Sequence, residues 1–127
     1  MNIQTHKRIN QGLCGTPLAV EDGFSRVQLR TTKDMAADKP GLVHGGFIFG
    51  LADYAAMIAV NDPNVVLGAA DVRFLKPVRV DDVLLAEAKI DFVEGKKRMV
   101  SVTVKHGDID VFKGQFACFV LDKHVLA

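Results

Sequence analysis

The sequence predicts an α+β domain in which an antiparallel sheet curls around one central helix. Three observations carry this. Leu42 to Val60 reads LVHGGFIFGLADYAAMIAV, an apolar and small-residue run interrupted by a single acid, Asp53, and a single imidazole, His44. From Val65 onward, segments of alternating apolar and polar residues are separated by glycine-containing turns, the period-two pattern of half-buried strands. Ahead of the run, Thr16 to Val20 and Phe24 to Thr31 flank Glu21-Asp22-Gly23, a hairpin whose glycine supplies a positive φ.

In chain order, residues 5–13 are polar and predict a short helix or arm, followed by the hairpin. Thr32 to Gly41 is a loop carrying Pro40-Gly41. The helix is expected from about Gly45 to Val60, stopped by Asn61-Asp62-Pro63-Asn64. Strands follow at Val65–Pro77, Val83–Val93, Arg98–Lys105 and Val111–Leu121, with turns at Glu94-Gly95-Lys96-Lys97 and His106-Gly107-Asp108. A helix apolar on every side needs cover on every side. One layer of sheet is expected to be too little, so a homo-oligomer, a dimer or a dimer of dimers, is expected to complete the burial.

The bulk numbers bound the function. The 127 residues suit a single domain spanning 1–127, and 49% apolar residues suffice for a core. A net charge of +1 argues against an electrostatic nucleic-acid binder. Cys14 and Cys118 have no metal-ligand spacing and read as reduced thiols, no metal cluster is visible, and the first residues, MNIQTHKRINQG, lack the apolar core of a signal peptide. The 42–60 run is long enough to suggest a membrane span, but Asp53, His44 and three glycines interrupt it. A cytoplasmic protein without a membrane segment is expected.

The chemistry concentrates in the helix. A carboxylate inside a buried segment is costly unless something uses it or pairs with it. Gly45 and Gly46 follow His44 where the helix starts. Backbone N–H groups there, aided by the helix dipole, suit a developing oxyanion, and glycine lets a substrate approach without a Cβ in the way. Tight packing explains the glycines equally well on spacing alone. Asp53 lies two turns in, sharing a face with Phe49, Gly50, Ala56 and Met57. Burial is expected to raise its pKa, which suits a base.

Gly41-x-x-His44-Gly45-Gly46, then Leu51-Ala52-Asp53, then Val72-Arg73-Phe74-Leu75-Lys76-Pro77-Val78 and the Asp81-Asp82 turn resemble the hotdog-fold acyl-CoA thioesterases, in particular the phenylacetyl-CoA thioesterase (PaaI)-like branch. The resemblance covers most of the chain. It implies hydrolysis of acyl-CoA thioesters to acid and CoA. In that pattern Gly45 gives its N–H to the thioester oxygen, Asp53 is nucleophile or base for water, and His44 places the thioester or the donor loop. Relatives carry Asn or Gln where this chain has Asp38. They also often offer Ser or Thr on the strand where this chain has Leu67, Gly68, Ala69 and Ala70.

The acyl-CoA is substrate, so no cofactor is implied, and basic residues should rim its phosphates. Lys76 and Arg79 flank Pro77 and Val78, and Lys96, Lys97 and Arg98 form the basic run. Each is as readily a solvated surface charge. Gly46, Phe47, Tyr54 and Phe74 are candidates to contact the substrate, with core packing as the competing role. Two other functions compete: a non-catalytic acyl-CoA-binding hotdog protein, favoured by Asp38 and the missing hydroxyl, and a hotdog dehydratase or hydratase. The second fits less well, because such enzymes pair an H-x-F-P-G-type histidine with a more distant helical acid.

Overall fold

The computed structural model describes all 127 residues. A one-turn helix α1 (Gln11–Cys14) precedes the hairpin β1 (Thr16–Glu21) and β2 (Phe24–Arg30). A 3-10 turn at Lys33–Met35 leads to the long helix α2 (Gly45–Val60). Strands β3 (Val65–Phe74), β4 (Val83–Glu94), β5 (Lys97–His106) and β6 (Ile109–Val120) follow. All neighbours are antiparallel, in the order β1-β2-β4-β5-β6-β3. The α+β arrangement and the single central helix stand as expected.

Turn chemistry sets the register. Gly23, Gly95 and Gly107 take φ of 73°, 58° and 60° at the three hairpin tips, the left-handed region where a Cβ is penalised. Asn61 ends α2 at φ 54°. It also clamps the N-terminal arm: its Oδ1 accepts from Gln4 N–H at 2.7 Å, and its amide donates to Asn2 C=O at 2.7 Å. The third strand stops at Phe74 rather than Pro77. Beyond it the Leu75 N–H turns to Val111 C=O at 2.8 Å, and Pro77 has no N–H to continue a ladder.

The sheet covers the helix more completely than one flat layer would. Ile48, Leu51, Ala52 and every residue from Tyr54 to Ala59 are buried within the single chain, against β2, β4, β5 and α1. Ser25, itself buried, donates to the Ala55 carbonyl at 2.6 Å and ties β2 to the helix. The stripe Gly46, Phe49, Gly50 and Asp53 is left part-exposed, so the chain offers a second copy that narrow helix face together with a sheet edge. The β1 edge carries Pro17 and a bulge between Pro17 and Ala19, two devices that blunt strand addition. The β3 edge also carries a bulge, between Leu67 and Ala69, but it runs ten residues without a proline and exposes Gly68, Ala69 and Ala70. No helix is long and apolar enough to cross a membrane.

Candidate functional site

The start of α2 is held from both sides. Val43 N–H donates to Val78 C=O at 2.8 Å and His44 N–H to Met35 C=O at 2.9 Å. Isolated bridges join Leu42 to Arg79 and Ala36 to Val43. Asp38 shapes the approach: its Oδ1 accepts from the N–H groups of Gly41 and Leu42 at 3.1 and 3.0 Å. The expectation that Asp38 acts on substrate is thereby redirected. Its carboxylate is engaged as the acceptor of an exposed turn.

His44 occupies the N-cap position with extended backbone and makes no side-chain cap. Its ring instead lies over Gly46, where an added Cβ would sit 3.3 Å from the imidazole, and meets Phe47 edge-on at 6.3 Å. The N–H groups of Gly45 and Gly46 have no protein acceptor, and the first turn holds no acidic residue. The positive end of the dipole is thus left open to an incoming oxygen. Phe74 covers the same spot: a Cβ on Gly45 would sit 3.1 Å from its ring. Gly45, Phe74 and Lys76 share a groove of about 330 Å³ with apolar walls from Leu42, Ile48 and Pro77.

Asp53 is half-buried, and its Oδ1 is buried without a hydrogen-bond partner. Burial pushes its carboxyl up to about 6, because the charged form loses hydration and nothing replaces it. Two groups read from the sequence only as core thiols belong to this environment. Cys14 on α1 and Cys118 on β6 are both pushed up, first by burial and then by the Asp53 charge, Cys118 to about 12. Cys14 also approaches Gly50, one turn before Asp53 on the helix. Only the folded path of the chain brings these thiols together; nothing in their spacing signals it. The Gly50 position leaves room beside Cys14.

Other expected residues are placed apart. Tyr54 is 2% exposed and belongs to the core, so it lines no open groove; α2 turns it about 100° from Asp53. Arg79 is exposed, its N–H donating to Asp82 Oδ2 at 2.9 Å. Lys96 pairs with Asp122 at 3.0 Å, and Arg98 donates to Gly95 C=O at 2.8 Å. The turn carrying Lys96, Lys97 and Arg98 packs beside the β6 end at Phe119 and Val120. That end pairs with Val65 and Val66, whereas Gly45 lies at the Phe74 end. Within one chain the basic run therefore sits at the opposite end of the sheet from the helix start, roughly 30 Å of strand away. No three His, Cys, Asp or Glu side chains cluster as a metal site.

The family model of the thioesterase superfamily matches residues 40–113. The chain is 50% identical, over 96% of its length, to a methylthioribose-1-phosphate isomerase of Aquifex aeolicus, of which it spans 27%. It is 33% identical over 75% of its length to the transcription factor FapR of Thermoanaerobacter sp., spanning 48% of it. The chain thus covers about a quarter to a half of these relatives. Among solved structures, the uncharacterized protein PH1136 of Pyrococcus horikoshii superposes with a TM-score of 0.99 at 52% identity, covering 100% of this chain and 98% of that one. The E. coli PaaI protein of the phenylacetic acid degradation operon gives 0.81 at 22% identity, with 90% and 84% covered. Protein smu.793 of Streptococcus mutans, bound to acetyl CoA, gives 0.82 at 24%, with 94% and 97% covered. These last two share the fold.

Proposed function

The chain belongs to the thioesterase superfamily, and from that premise we propose that it hydrolyses acyl-CoA thioesters through a site built by two copies. The observation that carries the proposal is the pair of open N–H groups at Gly45 and Gly46 in a helix that also bears, at half-buried Asp53, a carboxylate whose buried Oδ1 has no partner. The Gly45 N–H receives the thioester oxygen as it gains charge. Asp53 attacks the carbonyl carbon or takes a proton from the attacking water. His44, lying over Gly46, keeps the donor turn in place.

The two functional groups cannot meet on one carbonyl within a single helix. Eight residues separate Gly45 from Asp53, about 12 Å along the axis and roughly 80° around it. Reacting atoms must approach to about 3–3.5 Å. Even with side chains leaning toward the helix start, most of that span remains. A second copy, its helix antiparallel across a two-fold, supplies the missing partner. The proline-free β3 edge is where we place the pairing. Lys76, in the groove beside Gly45, is the cation best placed for the CoA arm of the same site. The CoA-bound relative in Streptococcus mutans supports the ligand class.

A second reading, a non-catalytic acyl-CoA binder, is favoured by the relative named as a transcription factor. Assaying a panel of acyl-CoAs for CoA release separates the two. Turnover of at least one ester is expected; saturable binding with no release gives the binding reading. Light scattering is expected to show a dimer or larger at micromolar concentration, and a stable monomer there would break the two-copy site. The isomerase name belongs to a relative about four times the length of the matched region.

A further inference from the structure

We propose that the cavity between the N-terminal arm and the C-terminal turn is a phosphate subsite that receives the nucleotide phosphates of a CoA ester held by the second copy. It rests on the thioesterase reading and its two-copy site. The cavity, about 470 Å³, is lined by Gln4, Thr5, His6, Lys7, Asn64 and His124, with Val65 and Val66 as part of its wall. The two imidazoles come from opposite ends of the described chain. Neither is placed by chance. His6 adopts φ 53° without being glycine, a conformation side chains avoid unless the surroundings impose it. The imposing contacts are the Asn61 clamp on Gln4 and Asn2 and the bond between His6 Nδ1 and Thr5 Oγ1 at 2.8 Å.

The lining presents donors. His124 Nδ1 accepts from Leu126 N–H at 3.0 Å, so the proton of the neutral ring sits on Nε2 as a donor. In both rings Nδ1 is engaged and Nε2 has no protein partner. Lys7 adds an ammonium, and Gln4 and Asn64 add amides. The carboxylates next to the lining in sequence are already engaged: Asp62 accepts from Asn64 N–H at 2.8 Å, and Asp122 pairs with Lys96 at 3.0 Å. Donors in excess of acceptors, in a space of nucleotide dimensions, suit a phosphate ester.

Position supplies the occupant. The cavity lies at the Val65 end of β3 and the groove beside Gly45 at the Phe74 end, roughly 30 Å apart in one chain. When β3 pairs antiparallel with the β3 of a second copy, the cavity of one chain adjoins the groove of the other. A CoA ester with its carbonyl at Gly45 then extends toward His6, Lys7 and His124 of the opposite copy.

The test compares one acyl group carried on CoA and on pantetheine, which lacks the nucleotide phosphates. In His6→Ala/His124→Ala, KM for the CoA ester should rise at least tenfold, and KM for the pantetheine ester less than twofold. His6→Gln, which keeps a partner for Thr5, and Lys7→Ala should each give a smaller rise of the same kind. Equal rises for both esters, or none, overturn the subsite. Calorimetry with CoA separates this from the hydrolase reading. If wild type binds CoA but hydrolyses no CoA ester, and the double variant binds CoA at least tenfold more weakly, the subsite stands and the hydrolase falls. If hydrolysis persists and the variants leave CoA affinity unchanged, the subsite alone falls. Inorganic phosphate that binds but is not displaced by CoA also overturns it.

Discussion

Replacing Asp53 by asparagine should make the protein more stable and the enzyme nearly inert. The carboxyl is raised by burial from 3.8 to about 6, a shift of about two units or ~3 kcal/mol of disfavoured charge. The sign follows from proton binding. Between pH ~4 and ~6 the folded carboxyl holds a proton that the unfolded chain has released, so stability falls as pH rises through that window and is flat above it. Asparagine deletes the penalty but leaves an unpaired amide where Oδ1 has no partner, at a cost of about 1–2 kcal/mol. The net gain at pH 7.5 is ~1–2 kcal/mol, a Tm rise of roughly 3–8 °C for a domain of this size, reversing to a loss of about 1 kcal/mol near pH 4, where the acid's penalty is gone and the amide's cost remains. At fixed protein concentration, calorimetry at pH 4, 5, 6 and 7.5 measures the series. In parallel, kcat for CoA release should fall at least ~100-fold. Unchanged turnover would make Asp53 a bystander. A lower Tm at pH 7.5 would mean that the carboxylate has a charged partner in the assembled protein.

For the wild type, kcat should decline about tenfold per unit below pH ~6, as the ionised Asp53 is lost; a flat profile from pH 5 to 8 refutes its role as base. Asp38→Asn should keep turnover within twofold, because its amide oxygen can still accept from Gly41 and Leu42. Asp38→Ala should lower stability by about 1 kcal/mol in denaturant titrations, with loss of activity no larger than loss of folded protein. Gly45→Ala places a methyl 3.1 Å from the half-exposed Phe74 ring, which can yield. Circular dichroism should be unchanged while kcat drops at least ~10-fold as the methyl crowds the oxyanion position. Lys76→Ala should raise KM for acyl-CoA several-fold and weaken its salt dependence; an unchanged KM would move the phosphate contacts elsewhere.

Much of the fold was legible because it is local. The bounds of α2 match the apolar run, since His44-Gly45 starts it and Asn61 in the left-handed region stops it. The hairpins follow from glycines at their tips. The Lys33–Met35 turn and the Gln11–Cys14 helix were less visible, although Asn10 does cap the latter through Leu13 N–H. At the site, the donor glycines and the buried acid could be picked out by residue type. The role of Asp38 could not, because a turn acceptor and a site acid look alike without coordinates. For Tyr54 residue type left substrate contact and core packing both open, and its burial settles on the core. The basic run could be seen, but its distance from Gly45 depends on strand order, which alternation alone does not fix. The approach of Cys14 and Cys118 to Asp53, and of His6 to His124, joins segments far apart in sequence.

The contrast between the two sheet margins has a consequence for assembly. A sheet that accepts strands at both margins can polymerise; one that accepts at neither stays alone. Both margins here carry a bulge, at Pro17/Ala19 in β1 and at Leu67/Ala69 in β3, but only β1 adds a proline, so β3 is the more receptive margin. In the proposed two-copy site, β3 joined to β3 about a two-fold would leave the two β1 strands as the outward margins. A substitution that removed Pro17 and straightened β1 would make those margins more open to further strand addition.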